Sequence, residues 1–393
     1  MELRPLTQED QPALGWLMSE AFGGGRRPQD DGTEALPERL QLGVFEGARL
    51  VAAATVLDLH VTWGDQDAPM GGVAGVACTV GERGRGHVAR LMAQSLRRMR
   101  EAGQYLSGLY PFSFAFYRRH GWDWVGEKRR YRVPTHAVPA APEGRDVRMY
   151  DGPEALEVVK PVYAAFARRH RGMTTRQDPV PDWWTRTLEH GGSRTTYVHV
   201  HHDPVTGEAG GYFTFRYPER DQPARLGEFF ANTPSAYRGL LSVMHYYGTQ
   251  LSHLEFVAPA DDPLPLHVMH HDLSATLSPL FMGRVVDVPA ALSALRPPPE
   301  AQGRLALRVR DDACDWNDGT FAVAVEGGRI AVTTATAPPG VTLDIQALTQ
   351  AYWGQPALSL LRYGGRLNVA DDAQFSLLSA LLPPAICYLQ DHF

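Results

Sequence analysis

The chain has 393 residues, more than one ordinary domain buries around a single core, so two or three compact units are expected. A net charge of -6, with 44% hydrophobic and 21% charged residues, fits a globular protein and gives no electrostatic case for a nucleic-acid partner. Cys78, Cys314 and Cys387 are widely spaced and lack CxxC or CxxH patterns, which argues against a disulfide framework or a zinc finger.

The first residues, Met1 to Pro5, lack the basic and apolar regions of a signal peptide, and no apolar run approaches a membrane span. The expectation is a cytoplasmic protein with no membrane partner. Thr7-Gln-Glu-Asp10 reads as a helix start leading to Phe22. Gly43 to Leu59 reads as a hairpin, and Val73 to Val80 as a strand. His87 to Ala102 reads as a helix with Leu91, Met92, Leu96 and Met99 on its apolar face, stopped by Gly103. A strand at Tyr105 to Tyr110 and a short helix at Ser113 to His120 follow. A proline-bearing stretch from Val133 to Gly144 reads as a linker.

The next stretch partly repeats this order. A helix spans about Pro153 to Arg169, with strands at Thr195–His201, Gly210–Arg216 and Arg225–Phe230. Then come a helix at Ser235–Tyr247 and a strand at Leu254–Val257. Pro297-Pro298-Pro299 marks a second linker after a helix at Pro289–Leu295. Beyond it, strands at Leu305–Val309, Gly319–Val325, Arg329–Thr334 and Val341–Ile345 precede helices at Ile345–Trp353 and Asp372–Leu382. The turn Glu326-Gly-Gly328 is a hairpin signal. The expected units are 1–138, 139–296 and 297–393, and the expected fold class is α/β: two mixed sheets in tandem, then an α+β unit.

The stretch Val76-Ala-Cys-Thr-Val-Gly-Glu-Arg83-Gly-Arg85-Gly86-His87-Val88 joins a strand to a helix through a turn with two glycines. Bare amides and the positive end of the helix dipole make such a turn a cradle for phosphate. It is neither a Walker loop nor a complete GxGxxG. Arginines at a helix N-terminus are electrostatically misplaced unless an anion meets them there. The corresponding place in the repeat, Asn232 to Gly239, carries Pro234 and bulky side chains, so it reads as a degenerate copy. Cys78, inside a strand, reads as a small buried hydrophobe rather than a nucleophile. The histidines at 199, 201 and 202 fit strand alternation better than metal ligation, and those at 267, 270 and 271, beside Asp272, are likewise read as no metal site. Trp183-Trp184, Tyr246-Tyr247 and Trp353 read as core or subunit-interface aromatics.

The element order, with Arg83-x-x-Gly86-x-Val88, resembles the GNAT acetyltransferase superfamily. Within it the chain resembles the Eis (enhanced intracellular survival) N-acetyltransferases. The matching pieces are Val51–Gly64, Val76–Met92, Phe116-Tyr117-x-x-x-Gly121, Met282-x-Arg284 through Leu292, and the terminal Phe393. Asn317-Asp-Gly-Thr-Phe321 and Leu361 to Leu367 are similar to a sterol-carrier-protein domain. The resemblance implies a catalytic GNAT unit, a degenerate GNAT-like unit and a sterol-carrier-like unit, with acetyl-CoA as co-substrate and no metal.

By that resemblance the backbone of Val76, Ala77 and Cys78 pairs with the pantetheine arm. The amides of Arg83, Gly84, Arg85, Gly86, His87 and Val88 hold the pyrophosphate, with charge-assisted contacts from Arg83 and Arg85. Tyr117 protonates the departing thiolate: a phenol of pKa ~10 is matched to a thiol of pKa ~8.5. The carboxylate of Phe393 acts as general base. The implied acceptor is a primary amine of aminoglycoside, polyamine or lysine type, and the implied assembly is a homo-oligomer, a hexamer. Two positions that are acidic in aminoglycoside-acetylating members are changed, near Gly24 and at His392. Asp391, Glu20, Asp30 and Asp31 are candidates to compensate. Two other classes fit parts of the sequence: a lipid or acyl-CoA binder using the last unit, and a regulatory protein whose first unit senses acetyl-CoA.

Overall fold

The computed structural model describes residues 1–23, 39–177, 182–189, 194–219 and 222–393. The first stretch gives β1 (Glu2–Pro5), α1 (Gln11–Phe22), β2 (Arg39–Glu46), β3 (Arg49–Trp63), β4 (Gln66–Cys78), α2 (His87–Glu101), β5 (Leu106–Leu109), α3 (Phe114–Arg118) and β6 (Asp123–Pro134). There follow β7 (Val147–Asp151), α4 (Leu156–Ala167), α5 (Trp183–Leu188), β8 (Tyr197–His202), β9 (Ala209–Phe215), β10 (Leu226–Ala231) and α6 (Pro234–Tyr246). Next come β11 (His253–Pro259), α7 (Leu264–His267), β12 (Ser274–Val285) and α8 (Val288–Ala294). The last stretch holds β13 (Gly303–Arg310), β14 (Gly319–Glu326), β15 (Arg329–Thr334), β16 (Val341–Asp344), α9 (Ile345–Trp353), α10 (Leu358–Tyr363), β17 (Leu367–Val369) and α11 (Asp372–Leu381). Among the described residues, no helix is long and apolar enough to cross a membrane.

Three sheets carry the strands, in the orders β1-β2-β3-β4-β5-β12-β6-β11, β10-β9-β8-β7 and β15-β14-β13-β16-β17. The fold is α/β, with two GNAT-type units in tandem followed by a sterol-carrier-type unit; the eight-stranded sheet is mixed, β4 and β5 being parallel, while the four-stranded sheet is antiparallel throughout. β3 is buried at successive positions from Leu50 to Leu57 rather than at alternate ones. The reason is that helices cover both faces: α1 packs through Leu14 and Leu17 on one side, and α2 through Leu91, Met92, Leu96 and Met99 on the other.

The sheets do not follow the linkers. β12 lies between β5 and β6, pairing Met282 with Leu109 on one side and Phe281 with Val125 on the other. A strand from beyond residue 139 therefore completes the first sheet. The stretch taken as a linker begins inside β6, which ends at Pro134 where the ladder loses a donor.

β4 and β5 run parallel only from Met70–Leu106 to Val73–Leu109. β4 then continues to Cys78 alone on that side, and the two strands part. Gly75, at φ +55°, marks a break in the β3–β4 register at this point.

The C-terminal tail is built in as a strand-like segment. Residues 171–175 bond to β3 through Thr62 N–H to Met173 O (2.8 Å) and Thr175 N–H to His60 O (2.9 Å). Their other edge takes the tail, with Arg171 N–H to Ile386 O and Tyr388 N–H to Arg171 O, each 2.9 Å.

Candidate active site

The turn after β4 has its conformation imposed by glycine. Gly84 and Gly86 sit at φ +81° and +82°, and Gly86 is the N-cap of α2 with no side-chain cap. A Cβ at either position meets no heavy atom within 4 Å, so backbone conformation, not crowding, demands glycine there. The first helical bond is Arg90 N–H to Gly86 O (3.2 Å). The amides of His87, Val88 and Ala89 precede it and have no acceptor within the helix.

These amides face a cavity of about 610 Å³. Val76, Ala77, Cys78, Arg83, Gly84, Gly86, His87 and Val88 line it, opposite Phe112, Phe116 and His120. Past Val73 the edge of β4 has lost its β5 neighbour, so an extended ligand can add along it as a strand adds. Arg83 reaches back with Nε to Cys78 O at 3.3 Å. Burial pushes the Cys78 thiol up, which keeps it protonated.

Arg85 is placed differently from the rest. It does not line the cavity; its Nη1 lies 2.8 Å from Glu82 Oε2. Sequence reading passed over Glu82, which is buried and also takes Arg49 at 3.0 Å. His87 is buried beside it, Nε2 3.7 Å away, and neither ring nitrogen has a hydrogen-bond partner among the described residues. The unusual pattern of an acid directly before Arg-Gly-Arg-Gly was the available signal.

Tyr117 is 2% exposed and lies in the cluster under α2. Its ring is 5.2 Å from Phe112 and 5.1 Å from Phe116, both cavity-lining residues. Burial raises the phenol above its usual range, which makes it a weaker acid than the unperturbed tyrosine whose pKa was matched to the thiol. The hydroxyl makes no hydrogen bond among the described residues. Gly121, at φ +89°, closes α3, and a Cβ there would overlap Arg284 Nη1 at 1.2 Å. Arg284 is itself fully buried and bonds Asp311 Oδ2 at 2.7 Å, tying β12 to the last unit.

Phe393 packs on the opposite face of the sheet. A Cβ on Gly72 would come within 3.0 Å of its ring, and Tyr110 meets it edge-on at 5.6 Å. The Tyr110 hydroxyl donates to Leu389 O (3.2 Å) and Asp391 O (3.1 Å), while His392 stacks on its ring at 4.0 Å. The tail is therefore docked against the paired end of β4 and β5, on the face opposite α2; neither Tyr117 nor Phe393 is among the residues that line the cavity.

The other expected positions fall elsewhere. Glu20 accepts a bond from Val80 N–H at 2.9 Å, and Asp391 is buried against Arg176. Gly24, Asp30 and Asp31 lie outside the described residues. His199 Nε2 meets Tyr247 OH at 2.9 Å, and burial pushes its pKa down to about 4. His270 and Asp272 lie with His136, their candidate ligand atoms within 4.8 Å of one another; Glu46, Glu82 and His87 form a second such group.

Residues 2–125 match a family model described as an acetyltransferase (GNAT) domain, and residues 172–285 match a second model so described. The chain belongs to the GNAT acetyltransferases. Residues 288–390 of this GNAT enzyme match a sterol carrier protein domain. An uncharacterized N-acetyltransferase of Streptomyces griseus is 28% identical over 356 residues, 82% of each chain. A GCN5-related N-acetyltransferase from Anabaena variabilis shares the fold over all of both chains, with a TM-score of 0.87 at 21% identity. Eis1 from Mycobacterium abscessus shares it over all of both chains, with a TM-score of 0.79 at 20% identity.

The GNAT family implies acetyl-CoA as co-substrate, and the cavity fits one. It offers bare amides at a helix start for phosphate, an open strand edge for an amide-bearing arm, and apolar walls from Phe112 and Phe116.

Proposed function

We propose that this enzyme transfers the acetyl group of acetyl-CoA to a primary amine by direct attack in a ternary complex, in the manner of the Eis-type enzymes. The backbone of Val76, Ala77 and Cys78 runs alongside the pantetheine arm. The amides from Arg83 to Val88 meet the pyrophosphate, and Arg83 adds its charge. Arg85, tied to Glu82, acts by stiffening the turn. In the reaction the amine nitrogen bonds the acetyl carbon as the carbon–sulfur bond breaks. The Phe393 carboxylate takes the proton the nitrogen loses, and Tyr117 gives its proton to the thiolate. A free α-carboxyl of pKa ~3.3–3.7 is a weak base for this step, so a water relaying the proton is part of the reading.

The observation that carries this reading is the uncapped glycine turn at the start of α2, facing a cavity beside the free edge of β4. Residues 1–138 hold the donor, 139–296 and 297–393 frame the site, and the active form is a homo-oligomer, a hexamer, in the cytoplasm. The acceptor is an aminoglycoside-like, polyamine or lysine-type amine. An acetylation assay over a panel of such amines tests the reading. Turnover of at least one amine, with free CoA released in equal amount, is expected; tight CoA binding with no turnover across the panel would overturn it.

A further inference from the structure

The middle unit starts α6 with Thr233 and Pro234 rather than a glycine turn, and it encloses a charged group completely. Arg176, just past the end of the segment that bonds the tail, has a guanidinium with no exposure. Its Nε and Nη2 both meet Asp391, at 3.0 Å to Oδ2 and 2.6 Å to Oδ1. Nη2 also meets Glu228. The plane lies 3.9 Å from the Tyr163 ring centroid and 4.7 Å from that of Trp184. Thr174 Oγ1 donates to Asp391 Oδ2, and Tyr163 OH reaches the same oxygen at 3.2 Å. Glu228 is in turn held by Tyr212 OH at 2.7 Å.

Arg176 also sits at φ +55°, a left-handed backbone that is rare for a residue with a Cβ. Such a conformation persists where the surroundings over-determine it, and this happens disproportionately at functional sites. Burying a cation between two carboxylates is weak support for stability as such, since desolvation offsets the attraction. What the arrangement does supply is geometry. Asp391 is two residues from Phe393, and two extended residues span at most ~7 Å. The same short tail is held on its other side by Tyr110 and by the glycine contact at Gly72.

We propose that Arg176 is a positioning residue for acetyl transfer: by clamping Asp391 it fixes the place of the Phe393 carboxylate, so the middle unit serves as the holder of the active-site tail. The inference rests on Phe393 acting as base. The clamp touches neither the donor cavity nor the turn at Gly84–Gly86. Asp391 and Glu228 also line a second cavity, of about 360 Å³, so KM for the amine is read beside kcat: loss of the clamp moves the carboxylate and lowers kcat without changing how the donor is held.

The test compares Asp391→Asn, Thr174→Val and Arg176→Lys with the parent enzyme and with a chain extended by two alanines after Phe393. The extension turns the Phe393 carboxylate into an amide while keeping its ring. Steady-state kinetics, CoA binding by calorimetry and thermal unfolding are read for each. A misplaced reacting group costs on the order of 10- to 100-fold in rate, so kcat falls by that factor while the Kd for CoA stays within twofold. Thr174→Ser, which keeps the hydroxyl, recovers the rate lost in Thr174→Val. In the extended chain, already slow, the same substitutions cost nothing more. If the extended chain is as fast as the parent, the base assignment fails. If it is slow but Asp391→Asn and Thr174→Val, each folded, keep parental kcat, the clamp fails while the base assignment stands. An equal loss from Asp391→Asn in parent and extended chains also overturns the clamp. Should Asp391→Asn not fold, Thr174→Val and Arg176→Lys decide by the same readouts.

Discussion

The two GNAT units each send a strand into a helix, and the two helix starts are opposite in chemistry. In the first, β4 meets α2 through Gly84 and Gly86, with no side chain on the leading amides. In the second, β10 meets α6 through Asn232-Thr233-Pro234. Thr233 accepts from Ala236 N–H at 3.1 Å, and Pro234 has no N–H to offer. The cavity beside α6 is smaller, about 290 Å³, and holds Asp261 and Asp262. A helix start that satisfies its own amides offers an anion few donors, while one left bare attracts it. The GNAT fold thus occurs twice, and the helix start we propose for the donor occurs in the first unit. The second copy has turned its buried polar groups toward the tail.

Several substitutions would break or sharpen this contrast. The largest effect is expected from Tyr117→Phe, which removes the hydroxyl that we propose as proton donor in the first unit. A general acid contributes ~10²–10⁴ in rate, so kcat falls by at least ~100-fold with CoA affinity unchanged. A rate within threefold of the parent would remove Tyr117 from the reaction.

Next comes pH. His199, in the middle unit, has a pKa pushed down to about 4 by burial. Unfolded, it titrates near ~6.5, so the unfolded chain binds more protons between those values. Stability is therefore complete above about pH 6.5 and declines as pH falls toward 4, by up to about 3 kcal/mol. Asp262, pushed up to about 6 by burial, works in the opposite direction and costs stability as pH rises through that range. Denaturant titrations at pH 4.5 and 7 should show a smaller acid loss in His199→Gln than in the parent. An identical loss would show that His199 is not buried neutral.

Gly86→Val forces a branched side chain into a left-handed position and distorts the amides of the first helix start. Acetyl-CoA affinity should fall by about 10-fold or more, the equivalent of about 1.4 kcal/mol. Thr233→Ala removes the cap of the second helix start and should cost about 1 kcal/mol of stability. It should leave acetyl-CoA affinity as it was. Equal loss of affinity from both substitutions would erase the distinction between the units.

The parts legible in the sequence are those whose cause is local. The apolar stripe Leu91–Met92–Leu96–Met99 and the glycines before it announce α2 and its uncapped start, and the double glycine at 327–328 announces the β14–β15 hairpin. β12 gave no such signal. Its first half, Ser274 to Ser278, is polar and largely exposed, and Pro279 sits inside it. Only its register between β5 and β6 makes it a strand. Arg85 reads as a phosphate ligand until Glu82 is seen to hold it. The Arg176–Asp391 contact joins residues 215 positions apart, and no pattern along the chain links them.

Hydrogen–deuterium exchange with and without acetyl-CoA puts the division between the two units to its most direct test. The account predicts that acetyl-CoA slows exchange in residues 76–89, where the β4 edge and the first turn of α2 lie. Residues 231–240 should be unchanged. Protection at 231–240, or none at 76–89, would contradict it.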